Sequence, residues 1–220
     1  MKNFYISLII LVVGCCVNAD DTCVGDSNAM PLDKWDIAVK DANDPNELVQ
    51  AKWNSVVNVL KDTQLDPNTR ASLVDKIISP VFDFQLMGKL ALGKTNWPKF
   101  NTAQREKFMS LFVELLKTSY RDKIMRYENQ QAEFAPAVQN KDSVQIPMTL
   151  VSSGQKTALL YKLRRADKSW KVYDVEIEGV SILLTYRSQF DDMLRRGSVD
   201  DLISQLEKPA ENTQPDKSAS

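Results

Sequence analysis

The groups best placed by type and spacing to do chemistry are three carboxylates in one short stretch, Asp174, Glu176 and Glu178. Successive side chains on a strand point to opposite faces, so Asp174 and Glu176 share a face, away from Tyr173 and Val175. A carboxylate pair is the equipment of acid–base hydrolysis, glycoside cleavage above all. That chemistry needs the two groups across a cleft from each other, whereas neighbours on one strand stand side by side. Asp174 or Glu178 is therefore expected to fix a turn or to pair with a cation. The chain has no histidine, which removes the Ser-His-Asp and Cys-His arrangements and His-ligated zinc. It also lacks a G-x-S-x-G elbow, a P-loop and paired C-x-x-C motifs. An exported hydrolase working through carboxylates is the enzymatic alternative, and it has no identifiable second group. Arg187 is a candidate for a phosphate, with Asp191, four residues on, as its competing partner. Tyr161 and Tyr173 offer hydroxyls either to a pocket mouth or to the surface.

The ends of the chain bear on where such groups would work. Residues 1–19 carry one early charge, Lys2, an apolar run from Phe4 to Val13 and then small residues, as a secretory signal does. The run is too short to span a bilayer. Two cleavage readings compete. Val17-Asn18-Ala19 suits a signal peptidase that leaves Asp20 first, while Val12-Val13-Gly14-Cys15 resembles a lipobox that leaves an acylated Cys15. Cys15, Cys16 and Cys23 are the only cysteines, so the soluble product keeps one thiol and closes no internal disulfide. The boundaries that follow are a lead segment over 20–43, one domain over 44–206 and a disordered tail over 207–220, where larger apolar residues give out. With 43% hydrophobic residues, 26% charged and a formal net charge of -1, the composition is globular and makes no case for nucleic acid.

The elements that must position these groups are punctuated clearly. Asp44-Pro45 with Glu47 reads as an N-cap, a proline in the first turn and a favourable acid. Val49, Trp53, Val56 and Leu60 then recur at helical spacing, predicting a helix to about Lys61. Asp66-Pro67 repeats the start signal ahead of Leu73, Ile77 and Ile78. Pro80 ends or bends that helix, and a further segment from Phe82 to Leu92 is expected to close at Gly93. Asn101 and Gln104 form a capping box for the longest helix, whose stripe is Phe108, Leu111, Phe112, Leu115, Leu116, Tyr120 and Ile124. Its opposite face, with Arg105, Lys107, Glu114, Lys117, Arg121 and Lys123, is read as solvated.

After Glu128 the period changes from 3.6 to 2. Val144, Ile146, Met148 and Leu150 alternate with polar neighbours, Ser153-Gly154 supplies a turn, and Thr157, Leu159, Tyr161 and Leu163 alternate again. A turn at 166–168 leads to Trp170 through Ile177. With a strand near 132–138 this predicts an antiparallel meander, Pro147 marking an edge or a bulge. Helices followed by strands give an α+β class, with several N-terminal helices and a long helix packed on the sheet. The sheet's apolar face needs a cover, and the stripe of the long helix is the natural one. Whether the two meet as a filled core or leave a pocket is open at this level, and a filled-core protein-binding module remains an alternative.

Trp170-Lys171-Val172-Tyr173-Asp174-Val175, Ile177-Glu178-Gly179-Val180-Ser181 and Tyr186-Arg187-Ser188-Gln189-Phe190 resemble the signature of the MlaC/toluene-tolerance (Ttg2D-like) family of periplasmic phospholipid-binding proteins. Phe84 to Gly93, Gln104 to Phe108 with the following helix, and Ser198 to Leu206 occur in that family's order, so the resemblance covers about residues 45 to 206. It implies a curved sheet and several helices enclosing a deep apolar pocket. The pocket would take the acyl chains of one glycerophospholipid while the headgroup stays near solvent. It further implies a monomeric, non-catalytic periplasmic carrier with no cofactor beyond the bound lipid. Such a carrier passes lipid between an outer-membrane lipoprotein complex and an inner-membrane MCE/ABC transporter, and so maintains outer-membrane lipid asymmetry. The lipobox alternative departs from soluble export and would tether the protein through Cys15.

Physical chemistry is consistent with shelter. Each buried methylene contributes about 0.8 kcal/mol, so exposing a chain of about fourteen costs on the order of 11 kcal/mol. The expected wall is aliphatic and aromatic with few polar atoms. From the sheet it takes Ile146, Met148, Leu150, Leu159, Tyr161, Leu163, Tyr173, Val175, Ile177 and Val180. From the helices it takes Phe84, Met87, Phe112, Leu115 and Leu116. The two methionines, 87 and 148, are flexible enough to fit chains of different length.

Overall fold

The computed structural model describes residues 44–124, 129–167 and 169–208, with the backbone alone over 120–124. The signal over 1–19, the lead over 20–43 and the stripe side chains of Tyr120 and Ile124 lie outside these residues. So does the tail, apart from its first two positions. The fold is α+β, six helices and a six-stranded antiparallel sheet among the described residues.

Helix α1 runs Pro45–Lys61, and the Asp44 carboxylate accepts from the Asn46 amide. Helix α2 runs Pro67–Ile78, capped by Asp66 through the amides of Asn68 and Thr69. These caps satisfy amides that the first helical turn leaves without partners. The two helices form their own apolar cluster from Val56, Val59, Leu65, Leu73, Val74 and Ile77. A 3₁₀ turn, Ser79–Val81, then carries the chain to the sheet, where the Asp83 amide donates to the Val172 carbonyl at 2.8 Å.

Helix α3 runs Phe84–Asn96 and does not close at Gly93 as the sequence suggests. Gly93 sits at φ 70°, ψ 170° and the chain resumes helical turns to Asn96, so the glycine kinks the element without ending it. Helix α4, Thr102–Ile124, is the longest. The Asn101–Gln104 capping box is formed reciprocally, at 3.0 and 2.9 Å. After the sheet come α5, Ile182–Arg196, and α6, Val199–Glu207. Glu207 thus belongs to a helix, one residue beyond the boundary expected for the domain.

The strands are β1 Gln131–Phe134, β2 Val138–Asn140, β3 Ser143–Ser152, β4 Gln155–Ala166, β5 Ser169–Ile177 and β6 Val180–Ser181. Their order is β1-β3-β4-β5-β6, with β2 also on β3. Ser153-Gly154 and Glu178-Gly179 all have positive φ, the requirement of the tight two-residue hairpins they make. Pro147 is not at an edge. It lies in β3 opposite the break between β1 and β2, where its carbonyl accepts from the Ala135 amide at 3.0 Å. The missing donor therefore faces a gap in the pairing, which is how an interior strand tolerates proline.

The long helix takes its stripe elsewhere than onto the sheet. Phe108, Met109, Phe112 and Leu116 are buried with Met87, Ala91 and Leu92 of α3, Leu183 and Phe190 of α5 and Leu202 of α6. The inner face of the sheet gathers Val144, Ile146, Leu163, Val172 and Val175 with Val49 of α1 and Val81. Phe82 and Ile182 pack against both clusters and join them.

Candidate functional site

The three carboxylates that open the chemical question are committed to partners within the fold. Asp174 is buried, 3.2 Å from the Lys162 ammonium, and accepts from the Ser181 hydroxyl at 2.8 Å and the Leu183 amide at 3.3 Å. It thus holds a negative charge at the first turn of α5, where the helix dipole favours one. Glu176 pairs with the same Lys162, and Glu178 accepts from the Ala158 amide across the sheet. Burial alone would lower the Lys162 pKa. Hydrogen bonds to Glu176 and Asp174, with their charges, outweigh it and hold the ammonium above its ordinary value. Arg164 forms the parallel link, its Nε 2.9 Å from Asp83 at the start of α3. These contacts tie the outer face of the sheet to the first turns of α3 and α5.

Arg187 lies over Gly93, where an added Cβ would stand 2.8 Å from its Nε, and its nearest carboxylate is Asp191 at 4.0 Å. A glycine is required there by a φ/ψ region that side chains avoid.

The apolar candidates divide into two groups. Phe84, Met87, Phe112, Leu115 and Leu116 belong to the helical cluster. That cluster is filled by rings in contact: Phe108–Phe112 stacks at 5.6 Å, and Phe190 meets Phe108 at 5.4 Å and Phe112 at 5.9 Å edge-on. These five residues are not on the wall formed by the sheet.

On the sheet, the register aligns Met148, Leu159 and Ile177 in one row and Ile146, Tyr161 and Val175 in the next. Phe134 extends the first row from β1. Leu163 faces Val172, not Tyr173, because the β4–β5 register shifts after Lys162. This bulge takes Tyr173 out of the inward row and puts Val172 in its place. Val180 is 46% exposed, outside the enclosed wall. Ile146, Met148, Leu163 and Val175 are buried, while Leu150, Leu159, Tyr161 and Ile177 toward the β3–β4 hairpin are half-buried. Tyr161 keeps part of its surface accessible, yet loss of hydration pushes its phenol up to about 12.

Beside this half-buried end a cleft of about 570 Å³ opens between α1 and β1, lined by Gln50, Trp53, Asn54, Val57, Lys61, Asn129, Gln130, Gln131, Ala132 and Phe134. Such a volume is in the range of ligand pockets. Its origin is the angle of α1. Leu48 and Val49 near the helix start pack on the sheet, and the Asn46 amide side chain donates to the Ala135 carbonyl at 3.3 Å. Farther along, Val56 and Val59 turn to α2, leaving a second stripe of α1 facing β1. Phe134 belongs to both the cleft lining and the sheet cluster. Sequence reasoning missed this stripe by grouping Trp53 with Val49, Val56 and Leu60 in one helical repeat. The available signal was Gln50, Asn54 and Asn129-Gln130-Gln131, an accumulation of carboxamides on two segments.

The MlaC protein family model matches residues 50–208. The chain belongs to the MlaC family. A Haemophilus influenzae relative, the intermembrane phospholipid transport system binding protein MlaC, is 30% identical over 151 residues, covering 66% of this chain and 70% of the relative. The toluene tolerance protein ttg2D of Pseudomonas putida is 25% identical over 166 residues, covering 72% and 77% of the two chains. Among solved structures, a phospholipid-binding protein from Ralstonia solanacearum in complex with a phospholipid superposes with a TM-score of 0.66 at 27% identity, covering 74% of this chain and 94% of that one. The MlaC-family segment takes in α1 from Gln50 onward, the whole sheet and α6, and so includes both walls of the cleft.

Proposed function

We propose that this protein is a non-catalytic phospholipid carrier. Acyl chains lie along Met148, Leu150, Leu159, Tyr161 and Ile177, and reach them past Phe134 through the cleft between α1 and β1. The observation that carries the reading is that Leu150, Leu159, Tyr161 and Ile177 on the sheet are only half-buried, while Phe134 is shared between the sheet cluster and the lining of the cleft. The phospholipid in the Ralstonia solanacearum structure and the transport role in the name of the Haemophilus influenzae relative support the same reading.

The carrier works in the periplasm as a monomer, exported by the segment over 1–19. The alternative cleavage before Cys15 would hold it to a membrane through acyl chains. It exchanges lipid with an outer-membrane lipoprotein complex and an inner-membrane MCE/ABC transporter, maintaining outer-membrane lipid asymmetry. Direction comes from those partners, because a reversible pocket cannot by itself drive net flux. Among the described residues no helix is long and apolar enough to cross a membrane. The test is native mass spectrometry of the exported protein with lipid analysis of the same sample. One phospholipid per chain is expected. A protein that arrives without lipid and refuses it on reconstitution would favour a filled-core module instead.

A further inference from the structure

The cleft between α1 and β1 has a polar composition that a route for acyl chains does not require. Its apolar lining is Trp53, Val57, Ala132 and Phe134, the last of which also belongs to the sheet cluster. The remainder, among the described residues, is five carboxamides, Gln50, Asn54, Asn129, Gln130 and Gln131, with one cation, Lys61, and no carboxylate. The nearest acid in sequence on β1, Glu133, lies between two lining residues but is turned to Lys156, 3.7 Å away. Lys61 is exposed in the last turn of α1 and has no acid partner among the described residues. Carboxamides both donate and accept hydrogen bonds without charge, which suits hydroxyls and ester oxygens. A lone ammonium suits a phosphate. Among the described residues of the lining, none offers a counter-charge to an amine.

We propose that this cleft is the headgroup site of the carrier and that it selects anionic phospholipids with hydroxyl-bearing headgroups, of the phosphatidylglycerol type, over amine-bearing ones of the phosphatidylethanolamine type. The inference rests on the carrier reading and refines it. A zwitterionic headgroup brings its own ammonium toward Lys61 and cancels the gain at the phosphate. A glycerol headgroup keeps the net negative charge and gives its hydroxyls to the carboxamides. Because Lys61 is exposed, the discrimination is that of one solvent-screened ion pair, about fivefold, and it shrinks as salt is raised.

The experiment is competitive loading. The delipidated full mature chain is mixed with equimolar phosphatidylglycerol and phosphatidylethanolamine of identical acyl composition at low salt, and the bound lipids are quantified by mass spectrometry. About fivefold enrichment of phosphatidylglycerol is expected. Lys61→Gln should bring the ratio close to one and Lys61→Glu should reverse it. Lys76→Gln, an exposed charge on α2 outside the cleft, should leave the wild-type ratio intact. A wild-type ratio near one with full occupancy overturns the headgroup inference and leaves the carrier standing. Enrichment that persists in Lys61→Gln overturns the assignment to this cleft. Failure to load either lipid overturns the carrier reading and this inference with it.

Discussion

Asp174 tests at a single residue whether a carboxylate in this chain serves chemistry or architecture. It is buried against Lys162, Ser181 and the start of α5, so Asp174→Asn should cost about 2 kcal/mol in chemical denaturation. Hydrolysis of ester, phosphoester or glycoside substrates that vanished with this substitution would instead establish the enzyme. Tyr161 gives a pH prediction. Its phenol is raised from 10.0 to about 12 by lost hydration, so the unfolded state releases this proton first. Stability from this group is complete below pH 10 and is lost as pH rises toward 12. Lys162, also held above its ordinary value, acts in the same direction. Tyr161→Phe should therefore flatten, without abolishing, the fall of the denaturation midpoint across that alkaline interval.

Among the elements, α3 shows how local and tertiary information divide. Glycine after an apolar run is the ordinary sign of a helix end, and Gly93 was read that way. In the fold the Arg187 guanidinium covers Gly93 and the Asn96 side chain donates to Asp191 at 2.5 Å, so α5 holds the next turn in helical form. Gly93→Ala should cost about 1–3 kcal/mol from its backbone conformation alone, measurable as a lowered urea midpoint at unchanged slope. The caps, by contrast, were legible without tertiary help. Asp44, Asp66 and Asn101 each bond to amides within three residues, and such short-range geometry is written in the local sequence.

For the molecule as a whole, the two clusters make separable predictions. Leu159→Trp fills the half-buried row of the sheet and should abolish lipid occupancy in a protein that still unfolds cooperatively. Phe112→Ala removes a ring from the filled helical cluster. It should cost about 3–5 kcal/mol while the folded fraction still carries lipid, one per chain. Paired thermal melts and lipid counts check both. Loss of lipid in Phe112→Ala with retention in Leu159→Trp would place the pocket in the helical half.

The sequence by itself determined the class of fold, the starts of α1, α2 and α4, the Ser153-Gly154 turn and the alternation of β3 and β4, because these depend on neighbours within a few residues. It also supported the family, through the run from Trp170 to Phe190. Only the tertiary structure decided which apolar stripes meet. A stripe encodes that it will be buried, not against what. The stripe of the long helix could have covered the sheet but closed instead on α3, α5 and α6. One register shift after Lys162 exchanged Tyr173 for Val172, a change that no side-chain pattern on β5 alone announces. The cleft depends on the angle at which α1 leaves the sheet, set by contacts of Leu48 and Val49 on one side and of Val56 and Val59 on the other. That angle turned polar residues of α1 and β1 into opposing walls, and no spacing along the chain specifies it.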